Sequence, residues 1–269
     1  MNQIRTRFQA YWAFAAMTPK LFLAYRIWVW MDFFVQILAM TIFVYFWRAV
    51  YASNPTLGGL TLDQTLNYVL LAQVFAPLAQ THVIFDLGYG IREGMIGIEL
   101  LRPVDFQGRH YVANLAELVL ALILRIPLLV IAVLIFGVTL PGDPLVWLAF
   151  LGSVVLGNAV IFFFDWILAC MAFYTTEVWG WSVLRYGIGL FFSGALVPLA
   201  IMPPTLQAIT LALPFAQALY MPVSILSGIT PLSEVPQVWL GQLLWMIGLF
   251  AASRLVFRVA VRAVTVQGG

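Results

Sequence analysis

Four ionisable side chains, Asp32, Glu117, Arg125 and Asp165, lie inside long apolar stretches of a chain in which only 9% of residues are charged. A charge in a hydrocarbon layer costs at least about 2.5 kcal/mol, so such groups face protein or water, as structural ties, proton relays or parts of a substrate route. At about 1.5 Å per residue, Arg125 lies about 20 Å into its stretch and Asp165 about 12 Å from the end of the next, leaving a gap of about 8 Å. An extended arginine closes that gap. Arg125 and Asp165 are therefore expected either to tie two antiparallel helices together or to line a substrate or proton path, and Glu117 is too far along the helix to join them.

Other chemistry falls short of a recognisable pattern. His82 and Asp86 are one residue short of the H-x-x-x-x-D pair used in acyl transfer, and His110 has Leu115 at the matching position. Two histidines far apart in sequence give no metal-ligand spacing. Ser193 lacks the preceding glycine of a nucleophile elbow, and Gly88, Gly90 and Gly94 are off the dinucleotide-binding spacing. Cys170 is alone, so no internal disulfide is available. The only lysine, Lys20, stands in MTPKL, so no G-x-x-x-x-G-K-[ST] phosphate loop is present. Any ATP that drives this chain is expected on another polypeptide.

The elements that must position these groups follow from composition. With 63% hydrophobic residues and a net charge of +2, the chain reads as a membrane protein with no nucleic-acid partner. Six stretches reach the roughly 20 apolar residues a spanning helix needs: 27–50, 65–86, 112–139, 146–173, 181–203 and 236–257. The fold class expected is an all-α integral membrane protein, one membrane domain over 1–269. Arg5, Arg7, Lys20, Arg26, Arg92, Arg102, Arg109, Arg185, Arg254, Arg258 and Arg262 fall on one side, against Arg48 on the other and Arg125 within a span. The bias toward positive charge inside places both termini in the cytoplasm. Ile4, Phe8, Tyr11, Trp12 and Ala15 share one helical face, so 1–26 is expected to be an interfacial helix and turn rather than a cleavable signal. Arg254, Arg258 and Arg262 repeat at i, i+4 and i+8, and suit anionic lipid headgroups.

Two connections are unusual. Residues 87–111 form a cytoplasmic island of mixed charge. Its acidic members Glu93, Glu99 and Asp105 are not explained by topology, which takes little from carboxylates. Interleaved with Met95, Ile96, Ile98, Leu100 and Leu101, they suggest a short helix with one face for the membrane domain and one for a partner. Residues 198–236 carry Pro198, Pro203, Pro204, Pro214, Pro222, Pro231 and Pro236 and almost no charge. Proline breaks a helix, and irregular backbone at membrane depth survives only inside protein or at a cavity. A re-entrant external segment over 204–235 is expected, with helices near 204–213 and 215–227, and Pro198, Pro203, Pro214, Phe215 and Pro222 at its bends and gate.

In this organisation IREGMIGIELLRPVDFQ (91–107) resembles the R-x-G-x-x-x-x-x-L-L-R-P loop of the permease subunits of type-2 ABC exporters. FYTTEVWG (173–180), the S-G-x-x-x-P-L-x-x-x-P and L-P-F strings within 192–228, and the closing VQGG (266–269) are similar to further strings of that family. The resemblance covers nearly the whole chain. It implies a permease without its own ATP site, working as a homo- or heterodimer on ABC ATPase subunits that carry ATP and Mg. Arg92, Glu93, Glu99, Arg102, Asp105 and Glu177 would then couple it to the ATPase. It also implies a place in the cytoplasmic membrane among its lipids, and alternating access as the mechanism. Two other classes remain open beside it: an ion- or proton-coupled secondary transporter using Asp32, Glu117 or Asp165, and an intramembrane enzyme.

Overall fold

The computed structural model describes residues 26–175 and 178–263. Most of the surface helix expected over 1–26, together with Glu177 and the closing VQGG, lies outside the described residues. The described residues are all-α apart from one small hairpin, Thr56–Leu57 paired with Leu60–Thr61. The helices are α1 (Arg26–Tyr51), α2 (Leu62–Phe75), α3 (Val83–Arg92), α4 (Met95–Leu100), α5 (Phe106–Phe136), α6 (Pro144–Ala169), α7 (Trp179–Phe192), α8 (Pro204–Leu211), α9 (Pro214–Ala218), α10 (Tyr220–Leu226) and α11 (Val235–Ala260).

Local sequence sets the boundaries. Thr61 and Gln64 form a capping box at the start of α2, satisfying backbone donors that have no partner inside the helix. Asp105 caps α5 by accepting from the Gly108 amide at 2.6 Å, and Asp143 caps α6 with Pro144 in its first turn.

Among the described residues five helical stretches are long and apolar enough to cross a membrane: Val29–Tyr51, Leu62–Arg92, Phe106–Phe136, Pro144–Phe173 and Leu232–Ala260. The chain is thus a multi-pass membrane protein. Two of the expected spans differ in detail. The second is not continuous: a 3₁₀ turn at Ala76–Ala79 and extended backbone at Gln80 separate α2 from α3, because Pro77 supplies no amide to continue the ladder. The fifth, expected over 181–203, is helical only through Phe192. Fourteen residues are about 21 Å of helix, short of a hydrocarbon layer of about 30 Å. Beyond it the chain turns through Gly194 at φ 80°, a conformation that costs glycine nothing. Tyr68 Oη donates to the Gly194 carbonyl at 2.9 Å, and Gln73 Nε2 to that of Ala195 at 2.9 Å.

Helix α6 is the centre of the bundle, packed by α11, α10, α9 and α3. Between membrane helices there is little hydrophobic drive, so close packing and hydrogen bonds hold them. At Gly157 a Cβ would fall 2.4 Å from the Gln217 carbonyl oxygen, so α6 and α9 meet backbone to backbone. Within the proline-rich stretch residues 214–220 and 222–226 are buried, whereas most of 203–213 and 227–236 is exposed or half-buried. It divides into α8, α9 and α10 rather than two helices. Gln242 Nε2, from α11, donates to the Gln217 carbonyl at 2.7 Å and the Ser153 carbonyl at 3.0 Å, so the broken backbone is bonded by neutral groups.

Candidate functional site

The break in the second span is held by charge. Asp165 of α6 is fully buried. Arg185 Nε of α7 donates to its Oδ1 at 2.6 Å, and Thr81 Oγ1 to its Oδ2 at 2.7 Å. Arg185 Nη2 also donates to the Ala79 carbonyl at 3.2 Å. Asn158 of α6 takes the next free carbonyl, Leu78, at 3.3 Å, and accepts from Asn114 of α5 at 2.6 Å. The carbonyls of Leu78 and Ala79, left without a helical partner where the helix breaks, are thus bonded from two neighbouring helices, α6 and α7, as irregular backbone in a membrane requires.

Beside the break opens a cavity of about 610 Å³ between α1, α3 and α5. Its walls carry Asp32, His82, Asp86, Asn114, Glu117, Arg125 and Asn158 among apolar and aromatic side chains. Arg125 Nη1 lies 2.7 Å from Asp32 Oδ2, and His82 Nδ1 lies 3.3 Å from Glu117 Oε2. Such a mixed lining, mostly apolar with a few convergent polar groups, is what small-molecule sites have in common.

The expected tie between Arg125 and Asp165 is therefore corrected: each has a different partner. Depth along a helix fixes only the axial coordinate, and Arg125 turns toward α1 and Asp32 while Asp165 turns toward α7. Of the intramembrane set, Asp32, Glu117 and Arg125 come together at the cavity and Asp165 at the adjoining break. Arg185, which looks like an ordinary positive-inside charge in sequence, is 8% exposed and is the counter-ion of Asp165. His82 and Asp86, set aside as a failed catalytic spacing, lie one turn apart on the same wall. Their signal was the polar run Gln80–Thr81–His82 after Pro77, inside an otherwise apolar span.

The α3–α5 connection leaves the break at the opposite end of α3. Arg92 and Glu93 are exposed, Arg92 lying 5.1 Å from the Tyr89 ring centroid. Arg102 and Leu101 are exposed as well, Leu101 at 85%. Glu99 turns inward instead. It accepts from Arg109 Nη2 at 2.7 Å, and Arg109 is buried against Phe106. Asp105 is bidentate with Arg254 of α11, at 2.5 and 2.7 Å. That guanidinium, with the Gly108 amide, holds the Asp105 carboxyl below the usual carboxylate range although partial burial opposes it. The loop is thereby fastened to α5 and α11 over an aromatic cluster of Phe106, Trp166 and Phe257. Pro198, Pro214, Phe215 and Pro222 are buried, and Pro203 is exposed. None of the five lines the cavity.

A bundle of membrane-crossing helices with a buried charge clamp and a ligand-sized cavity marks a multi-pass membrane protein with a candidate ligand site. The family follows from comparison: residues 35–268 match the family described as ABC-2 family transporter protein, and the chain belongs to it. It is an ABC transporter permease, a transport subunit rather than an enzyme, and permeases of this family partner with ABC ATPases. Among curated proteins, none matches the chain.

Proposed function

We propose that this permease is the membrane-spanning subunit of an ATP-driven exporter and that it works by alternating access. The 92–105 loop faces the cytoplasm, as do both termini, and it receives the ATPase subunits. The protein sits in the cytoplasmic membrane with lipid around its exposed helices and a second permease subunit beside it. ATP and Mg are bound by the ATPase.

The observation that carries this is the continuity of α3. One end of the helix runs into the exposed loop, and the other stops at the break clamped by Asp165, Arg185 and Asn158. Along it lie His82, Phe85, Asp86 and Tyr89, which wall the cavity. A load on the loop swings α3 about the break and reshapes that wall. Hinges of this kind absorb the change at a few residues at the ends of elements. Nucleotide binding then biases the two shapes of the cavity, and cargo responds only so far as it binds them with different affinity.

Reversing an exposed loop charge, Glu93→Lys with Arg92→Glu, tests this. Membrane insertion should be unchanged, and transport should fall about tenfold or more relative to ATP hydrolysed, the loss of about 1.4 kcal/mol of coupling. Glu99 is the poorer probe, since its reversal would strand the buried Arg109. Transport that persists without any ATPase and follows an ion gradient would replace the proposal with a secondary transporter.

A further inference from the structure

We propose that the cavity between α1, α3 and α5 binds an amphipathic organic cation that also carries a hydrogen-bond acceptor. The charge balance of the walls comes first. Three carboxylates, Asp32, Asp86 and Glu117, face one arginine, Arg125, and one histidine, His82. Arg125 is taken by Asp32 and His82 by Glu117. Asp86 is left over: among the described residues its carboxylate has neither an ion pair nor a hydrogen bond, and it is exposed to the cavity mouth. Even with His82 protonated the lining keeps one net negative charge.

The surroundings of that charge suit an organic cation better than a metal ion. Phe85 and Tyr89 flank Asp86 in sequence and wall the same cavity, with ring centroids 6.3 Å apart at 21°. Aromatic faces attract a desolvated cation through their quadrupole. A metal ion would need converging ligands, and among the described residues no three His, Cys, Asp or Glu side chains form such a group.

The acceptor is inferred from a second, independent feature. Arg125 is 8% exposed, and among the described residues its Nε and Nη1 have no well-directed hydrogen bond, although Nη1 is ion-paired with Asp32. An unsatisfied buried donor costs about 1–3 kcal/mol, which an oxygen of a bound ligand would recover. Arg125 is two turns of α5 from Glu117, about 12 Å along the axis. Leu118, Ala121 and Leu124 wall the cavity along that length. A ligand with its cation at Asp86, an apolar body along α5 and an ester, ether or carbonyl oxygen at Arg125 meets both of these groups. A volume of about 610 Å³ is in the range of small-molecule pockets. Calling this ligand the cargo rests on the export proposal; its binding does not.

The test uses the intact chain in phosphatidylcholine nanodiscs, with rhodamine 6G, a xanthene cation bearing an ester, followed by fluorescence anisotropy against empty nanodiscs. Saturable binding is expected, weakened about tenfold or more by Asp86→Asn and largely kept by Asp86→Glu, as loss of one charged contact implies. Fluorescein, an anion on the same xanthene core, should bind about tenfold more weakly or worse. Asp86→Asn protein that elutes as the wild type does but binds rhodamine 6G with unchanged affinity would overturn the proposal. So would fluorescein binding as tightly as rhodamine 6G, or the absence of saturable binding. If rhodamine 6G fails to bind while the Glu93 and Arg92 reversal still uncouples transport, the ligand class is wrong and the export proposal stands. If binding holds and the reversal has no effect, the export proposal fails and the site stands.

Discussion

Two of the interruptions in the protein's helices, one between α2 and α3 and one between α9 and α10, are secured by opposite means. Between α2 and α3 the loose carbonyls of Leu78 and Ala79 are taken by an amide and a guanidinium, around a fully buried Asp165. Between α9 and α10 the backbone is wedged against Gly157 and bonded by Gln242, with no charge involved. A cavity adjoins the first interruption, whereas the second is packed by apolar and small side chains. A side-chain clamp can be re-formed by side-chain motion, whereas a backbone-to-backbone contact leaves no such freedom. On the export proposal, the α2–α3 break is therefore the movable joint and the α9–α10 break the fixed one.

Breaking the first clamp should have the largest effect. Arg185→Leu leaves Asp165 buried without its counter-ion, which costs about 3–5 kcal/mol. The variant should be lost from the monodisperse peak in detergent size-exclusion melts. Replacing both partners, Asp165→Leu with Arg185→Met, should recover part of that stability, since apolar isosteres of a buried pair are often neutral but the Ala79 carbonyl and Thr81 hydroxyl lose their partners. Coupling of ATP hydrolysis to transport should stay impaired. Full coupling in the double variant would make the pair a mere staple.

The second clamp should fail by sterics alone. Gly157→Ala drives a methyl into the Gln217 carbonyl and should destabilise the fold by about 1–3 kcal/mol. Transport per ATP hydrolysed by the protein that remains folded should be unchanged, as measured on reconstituted material.

The smallest effect belongs to the loop fastening. Arg254 lowers the Asp105 pKa in the folded protein, so the contribution of the pair is present above the ordinary carboxylate pKa of about 4 and lost only as pH falls below it. Wild-type melting should therefore be insensitive to this pair from neutral pH down to about 5. Arg254→Gln should remove part of the loss seen below that, by a small amount because both side chains are partly exposed.

The sequence made the long spans legible because their apolar runs are uninterrupted, and the proline spacing of 198–236 announced buried broken backbone. The intramembrane charges stood out by rarity. Their partners did not, because linear depth says nothing about which way a side chain faces around its helix. Arg125 found Asp32 on α1, and Arg185 passed for a surface charge. The α2–α3 break stayed hidden because one proline and three polar residues barely dent the hydropathy of 65–86. The end of α7 was missed for a related reason: Ser193–Gly194–Ala195 suits both close helix packing and a left-handed turn, and only the Tyr68 and Gln73 hydrogen bonds from α2 decide between them. Glu99 and Asp105 were legible as special, but their inward ties to Arg109 and Arg254 depend on tertiary neighbours.

On the export proposal, α3 pivots at a charged joint while the α9–α10 joint stays still. Electron spin resonance distances on the permease with its ATPase test it, after Cys170, the sole cysteine, is replaced by serine. One label pair is placed at Glu93→Cys on the loop and Val155→Cys on the exposed face of α6. The other is placed at Ile209→Cys on α8 and Leu151→Cys on α6. Trapping the ATP-bound state should shift the 93–155 distance by several ångströms and leave the 209–151 distance unchanged. A fixed 93–155 distance, or equal shifts in both, would contradict it.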